Sequence, residues 1–151
     1  MNRFKILKFF AFALGILLPI AAHADYDQRL SVGLGFAQLN NPSQTAFALG
    51  AEYEYRPDPM LGIGAVGNYI FANPGITFLG APDLFLHPLA TDWLLSASPI
   101  VEFGSSVGTH VGVRLGTRIP IPLGSIAIVP EFAVDIISGG PGYLFGFGIE
   151  I

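Results

Sequence analysis

Gly142-Tyr143-Leu144-Phe145-Gly146-Phe147-Gly148-Ile149-Glu150-Ile151 alternates without a break. Tyr143, Phe145, Phe147, Ile149 and Ile151 form one series, bulky and apolar, while Leu144, Gly146, Gly148 and Glu150 form the other. A period of two puts the two series on opposite faces of a β-strand, whereas a helix would scatter both around its circumference. One face of this segment is a wall of large apolar groups. The other is mostly small and carries a carboxylate.

The pattern repeats upstream. In residues 26–38, Leu30, Val32, Leu34 and Phe36 alternate with Arg29, Ser31, Gly33, Gly35 and Ala37. In residues 44–56, Thr45, Phe47, Leu49, Ala51, Tyr53 and Tyr55 oppose Ala46, Ala48, Gly50, Glu52 and Glu54. Pro57-Asp58-Pro59 then reads as a tight turn. Residues 60–71 set Leu61, Ile63, Ala65, Tyr69 and Phe71 against Gly62, Gly64 and Asn68. Residues 93–103, 109–119 and 125–137 continue in the same way, with Glu102, His110, Arg114, Arg118, Glu131 and Asp135 on the small, polar face. The segment at 76–87 has no clear phase, because Gly80, Pro82 and Pro88 interrupt it, and its pattern assigns His87 to neither side. Residues 72–82 read as the longest loop, the one stretch able to form a flap. Pro99 and Pro130 are expected at bulges, and Pro120 and Pro122 in the turn before Gly124.

Eight such segments of about ten residues match the smallest common transmembrane barrel, in which a tilted strand needs roughly 9–11 residues to cross the hydrocarbon. The predicted fold is all-β: an eight-stranded antiparallel up-and-down transmembrane β-barrel, preceded by a cleavable signal peptide. Composition agrees. Of 151 residues, 52% are apolar and only 12% charged. Beyond residue 24 no apolar run approaches the roughly 20 residues of a spanning helix. Gly 19 and Pro 12 weigh against a mainly helical chain. With no cysteine, disulfide scaffolds, zinc–thiolate sites and thiol nucleophiles are excluded.

Residues 1–24 read as a Sec-type signal peptide: Arg3, Lys5 and Lys8 precede an apolar stretch, and Ala22-His23-Ala24 fits a cleavage site. Residues 25–151 form the barrel domain. The formal charge of −4 divides accordingly, because both lysines leave with the leader. Four arginines then face eleven acids, a formal charge of −7. A water-exposed surface is ordinarily rich in lysine and glutamate. A lysine-free one calls for a covering other than water. No basic patch exists for nucleic acid.

The bulky face carries aromatics near segment ends: Tyr26, Tyr55 and Trp93 toward one rim, Phe36, Phe71, Phe103 and Tyr143 toward the other. That is the girdle of a lipid-facing surface. The opposite face, rich in Gly, Ala and Ser, suits the narrow interior of an eight-stranded barrel. Arg29, Glu54, Glu102, His110, Arg114, Arg118, Glu131, Asp135 and Glu150 are expected there as a network of ion pairs that plugs the lumen, since a charge in so narrow a space is costly unless paired. Arg114 and Glu131 are expected at mid-barrel, and His110, Glu102 and Asp135 nearer the outer rim.

A leader, eight alternating segments and an aromatic-rich last strand resemble the small bacterial outer-membrane barrels of the OmpA-transmembrane, OmpX and OmpW kind. The resemblance covers residues 25–151. Tyr143, Phe145, Phe147, Ile149 and Ile151 resemble the C-terminal signal read by the barrel assembly machinery, with Ile151 where that family usually ends in phenylalanine. It implies a Gram-negative outer membrane, lipid and the assembly machinery as partners, and a monomer. Some barrels of this size are lipid A deacylases whose histidine and serine share a close motif. Thr109-His110-Val111-Gly112 offers no serine two positions on, so no catalytic role is expected. Gly62-Ile63-Gly64-Ala65-Val66-Gly67 matches GxGxxG, but it lies inside an alternating segment without the helix a dinucleotide site requires. The histidine spacing suggests no metal site, and no cofactor is implied.

The expected role is structural or interaction-type in the envelope. A narrow channel for small or apolar solutes, and a secreted soluble barrel binding a hydrophobic ligand, stay open at this point.

Overall fold

The computed structural model describes residues 27–40, 43–72, 75–104, 108–138 and 140–151; the expected signal peptide at 1–24 and Tyr26 lie outside them. Among the described residues the strands are β1 (Asp27–Asn40), β2 (Ser43–Arg56), β3 (Leu61–Ile70), β4 (Ile76–Leu86), β5 (Leu94–Gly104), β6 (Gly108–Arg118), β7 (Ile121–Leu123), β8 (Ile126–Ile137) and β9 (Gly140–Glu150). Each pairs antiparallel with its neighbour. β1 lies between β2 and β9, and β6 pairs with β8 to close the ring. β7 is the continuation of β6: both lie on the same edge of β8, β7 opposite Ile126–Ile128 and β6 opposite Glu131–Ile137. The result is a closed, eight-stranded up-and-down barrel.

Proline explains that split. Pro120 and Pro130 have no N–H to give to the ladder. Between them one bond survives, from Ile119 N to Pro130 O at 3.3 Å. Pro122 therefore lies inside β7, not in the turn. The turn is Gly124-Ser125, with Gly124 at φ +71°, a backbone conformation that glycine adopts without a Cβ penalty. Pro57-Asp58-Pro59 does turn the chain, and the Asp58 carboxylate accepts the Met60 amide at 2.8 Å.

The fourth segment is the main departure from expectation. Residues 76–86 are strand, so 76–82, most of the stretch anticipated as a flap, is barrel wall. On β4 one extra residue stands at Ala81–Pro82 relative to both neighbours: the register slips between Gly64 and Val66 on β3, and between Gly80 and Leu84 on β4 against β5. A bulge of one residue moves every later side chain to the other face. Ile76 and Phe78 point inward before it, and Asp83, Phe85 and His87 after it. The bulge lies on β4, facing Pro99 on β5. Pro130 stands in unbroken register with Phe147 and marks no bulge.

Outside, the bulky series is exposed as its alternation requires. Leu34, Phe36, Val111 and Phe147 are 57%, 61%, 69% and 65% accessible. Phe36, Phe47, Phe71 and Tyr69 form a chain of ring contacts around three strands, with centroids 6.2, 5.6 and 4.8 Å apart. Inside, the filling is bulkier than Gly, Ala and Ser alone. Leu39, Ile70, Ile76, Phe78, Ile100 and Leu144 join Ala37, Ala46, Ala48 and Ala133 in one buried apolar cluster.

Candidate functional site in the barrel interior

The interior charges fall into separate groups, each set by the ladder that carries it. Arg114 on β6 stands opposite Asp135 on β8. Its Nε and Nη2 donate to the two carboxylate oxygens at 2.6 and 2.7 Å, and Nη1 donates to the Asn68 carbonyl oxygen on β3. The guanidinium carbon lies 5.7 Å from the centre of the Phe78 ring, within cation–π range. Glu131, expected beside Arg114 at mid-barrel, is instead opposite Arg118 in the ladder, four residues toward the rim where both barrel ends lie.

Arg118 pairs with Glu52 on β2, donates to Ser31 Oγ at 3.2 Å, and sits 5.8 Å from the Phe85 ring centre. Ser31 Oγ in turn donates to Glu150 at 3.4 Å, and Arg29 bonds both Glu150 (3.4 Å) and Asp92 (3.1 Å). Arg29, Arg118, Glu52 and Glu150 therefore belong to one chain of contacts near the terminal rim. Glu52 was absent from the expected set, although its alternation with Glu54 already put both on the inner face.

The third group is His87 and Glu54, which share a 2.6 Å hydrogen bond and are essentially inaccessible. The phase slip at Ala81–Pro82 makes this contact. Read without the bulge, the strand gives no reason to turn His87 inward. Asp83 comes in by the same slip. Its two carboxylate oxygens, Ser98 Oγ, His87 Nδ1 and Glu54 Oε2 are buried and bond no protein group among the described residues. Buried polar atoms of this kind are satisfied by water in folded proteins. A cavity of about 20 Å³, lined by Ser31, Glu52, Asn68, Arg118 and Glu131 among others, is on the scale of one water molecule.

The last group lies at the opposite rim. Glu102 is buried and stands across the β5–β6 ladder from His110. His110 Nδ1 shares a 2.8 Å hydrogen bond with Ser138 Oγ. This bond ties β6 to the end of β8 just beyond the last ladder pair, Gly112 with Ile137. Among the described residues no cluster of three or more His, Cys, Asp or Glu side chains is arranged to hold a metal ion. The GxGxxG stretch is ordinary wall of β3. Tyr143, Phe145, Phe147, Ile149 and Ile151 all point outward.

No family model matches the chain, and neither does any curated protein. Solved structures do resemble it. The N-terminal β-barrel domain of Pseudomonas aeruginosa OprF superposes with a TM-score of 0.62 at 9% identity, over 83% of this chain and 98% of that one. Neisserial surface protein A gives 0.57 at 9% identity, over 85% and 97%. A de novo designed transmembrane β-barrel gives 0.52 at 12% identity, over 82% and 95%. At such identities the likeness is one of fold. The chain has the fold of the small eight-stranded outer-membrane barrels.

Proposed function

We propose that this chain is a lipid-embedded barrel of the bacterial outer membrane, with a lumen closed to solutes and a structural or interaction role rather than a catalytic one. The observation that carries the reading is the inverted distribution of polarity. Large apolar side chains stand exposed on every strand, whereas Arg114, Asp135, Arg118, Glu54 and Asp83 are buried inside. A soluble barrel needs the reverse. Soluble monomers rarely expose contiguous apolar patches beyond a few hundred Å². In a bilayer the same surface is favourable, and a closed barrel leaves no backbone edge unsatisfied. Strands of 10–14 residues are long enough to cross.

Lipid is then the principal partner, and both described barrel ends face the periplasm. The outward series of β9, Tyr143 to Ile151, is available to the assembly machinery during insertion. Replacing Phe145 and Phe147 by alanine is expected to slow assembly in cells more than it slows folding into synthetic bilayers. Equal slowing in both would argue against recognition of this strand. Envelope fractionation, with gel mobility compared before and after boiling, tests the reading as a whole. The expected protein sediments with the outer membrane and migrates faster unboiled. A detergent-free, monomeric periplasmic protein would overturn it and restore the soluble ligand-binding alternative.

A further inference from the structure

We infer that the permeability seal of this barrel is its apolar cluster, not the ion pairs on the terminal side of it. This rests on the closed-lumen reading above and names the part that does the closing. The interior is layered along the barrel axis. Toward the terminal rim lie Arg118, Glu52, Glu54, His87 and Asp83, together with the water-sized cavity and the buried polar atoms that bond no protein group. Toward the opposite rim lie Leu39, Ile70, Ile76, Phe78, Ile100 and Leu144, from β1, β3, β4, β5 and β9, all 6% accessible or less. The Arg114–Asp135 pair of β6 and β8 lies at this level too, with the guanidinium over the face of Phe78, and Glu102 stands across the β4–β5 ladder from Phe78.

The two layers resist an ion differently. In the polar layer a permeating ion or water finds replacement partners, because carboxylates, guanidiniums and hydroxyls exchange one hydrogen bond for another. In the cluster the polar groups within reach, Arg114 and Asp135, are already joined to each other by two hydrogen bonds, the remaining walls are apolar, and water leaves a narrow apolar constriction spontaneously. The barrier to conduction therefore resides in the second layer, and the polar layer is a wet chamber reached from the terminal side only.

Planar-bilayer recording of folded protein separates the alternatives. The unmodified barrel is expected to be silent; steady conductance from it would overturn the closed-lumen reading itself. Arg118→Gln with Glu52→Gln, which dissolves the main ion pair of the chamber, is expected to stay silent. Ile76→Thr with Ile100→Thr wets the cluster at the loss of one heavy atom each, and Phe78→Ala thins it. Each is expected to raise the frequency of conductance steps about tenfold or more, the factor that follows from a barrier lowered by about 1.4 kcal/mol. Conductance in the Arg118/Glu52 variant, or silence in every correctly folded cluster variant, overturns the inference and leaves the closed-lumen reading standing. A second measurement needs no substitution. In micelle NMR, water cross-peaks are expected at the Asn68 side-chain amide and absent at the methyl groups of Ile76 and Ile100. Water at those methyls would overturn the inference as well.

Discussion

Arg114 and Asp135 face each other across the β6–β8 ladder and are joined by two hydrogen bonds of 2.6 and 2.7 Å, both side chains being buried. This ladder joins consecutive strands of the barrel, and it is interrupted at Pro120 and Pro130. A forked guanidinium–carboxylate contact adds geometric specificity to that ladder.

The pair is expected to be costly to break and cheap to replace. Asp135→Asn or Arg114→Met alone leaves a buried group uncompensated and should lose about 3–5 kcal/mol. The double change Arg114→Met with Asp135→Leu should recover most of that loss. Urea unfolding in lipid vesicles, arranged as a double-mutant cycle, measures both. Additive losses would mean that the two side chains act independently.

The bulge on β4 makes a sharper prediction. Deleting Ala81 alone removes the extra residue and leaves Asp83, Phe85 and His87 facing inward, whereas deleting Ala81 and Pro82 together turns all three toward lipid and draws Leu84 and Leu86 inside. A charge on the lipid face costs about 2–4 kcal/mol at mid-membrane, and Glu54 loses its hydrogen bond to His87. The double deletion is expected to abolish the heat-modifiable gel band, whereas deletion of Ala81 alone should keep it. A double-deletion variant that folds normally would contradict the assigned register.

The same bulge marks where the amino-acid pattern stops being readable. β9 is legible residue by residue, because Tyr143 to Ile151 alternates without a phase change and its inner face is glycine-rich. β4 is not, since period-two reasoning assumes one phase and the extra residue at Ala81–Pro82 provides two. Asp83 and His87 were lost there, and with them the partner of Glu54. Glu52 is legible on the inner face from its two-residue spacing to Glu54, and it belongs to the network through Arg118. The apolar cluster escaped for another reason: Ile70, Ile76 and Ile100 look like lipid-facing residues, and only register shows which side they take.

Glycines in the β1–β9 seam are expected to differ by position. A Cβ on Gly35 would run into the carbonyl oxygen of Phe145 and the backbone of Gly146, where no side chain can move aside. Gly35→Ala should cost about 1–3 kcal/mol. At Gly142 the nearest atom to an added Cβ is 3.7 Å away, so Gly142→Ala should stay within about 0.5 kcal/mol of the parent. Equal effects in vesicle unfolding would contradict the packing described.

His110 and Ser138 invite a direct chemical check, because a hydroxyl beside an imidazole, with Glu102 across the ladder, is the outline of an activated nucleophile. On the non-catalytic reading the bond only ties β6 to β8. Ser138 is then expected to resist a fluorophosphonate ester, and His110→Ala to leave that result unchanged. Labelling of Ser138 that disappears in His110→Ala would contradict the reading.

The central claim is that the exposed apolar surface meets lipid, and the single tryptophan reports on it. Trp93 is 45% accessible on the outer face near the terminal rim, with its indole N–H donating to Thr117 Oγ1 at 2.9 Å. Reconstituted into bilayers of brominated lipid, the protein is predicted to lose Trp93 fluorescence, most strongly with bromine close to the headgroups, while aqueous iodide quenches weakly. Fluorescence untouched by brominated lipid at every depth and quenched freely by iodide would contradict a lipid-facing exterior.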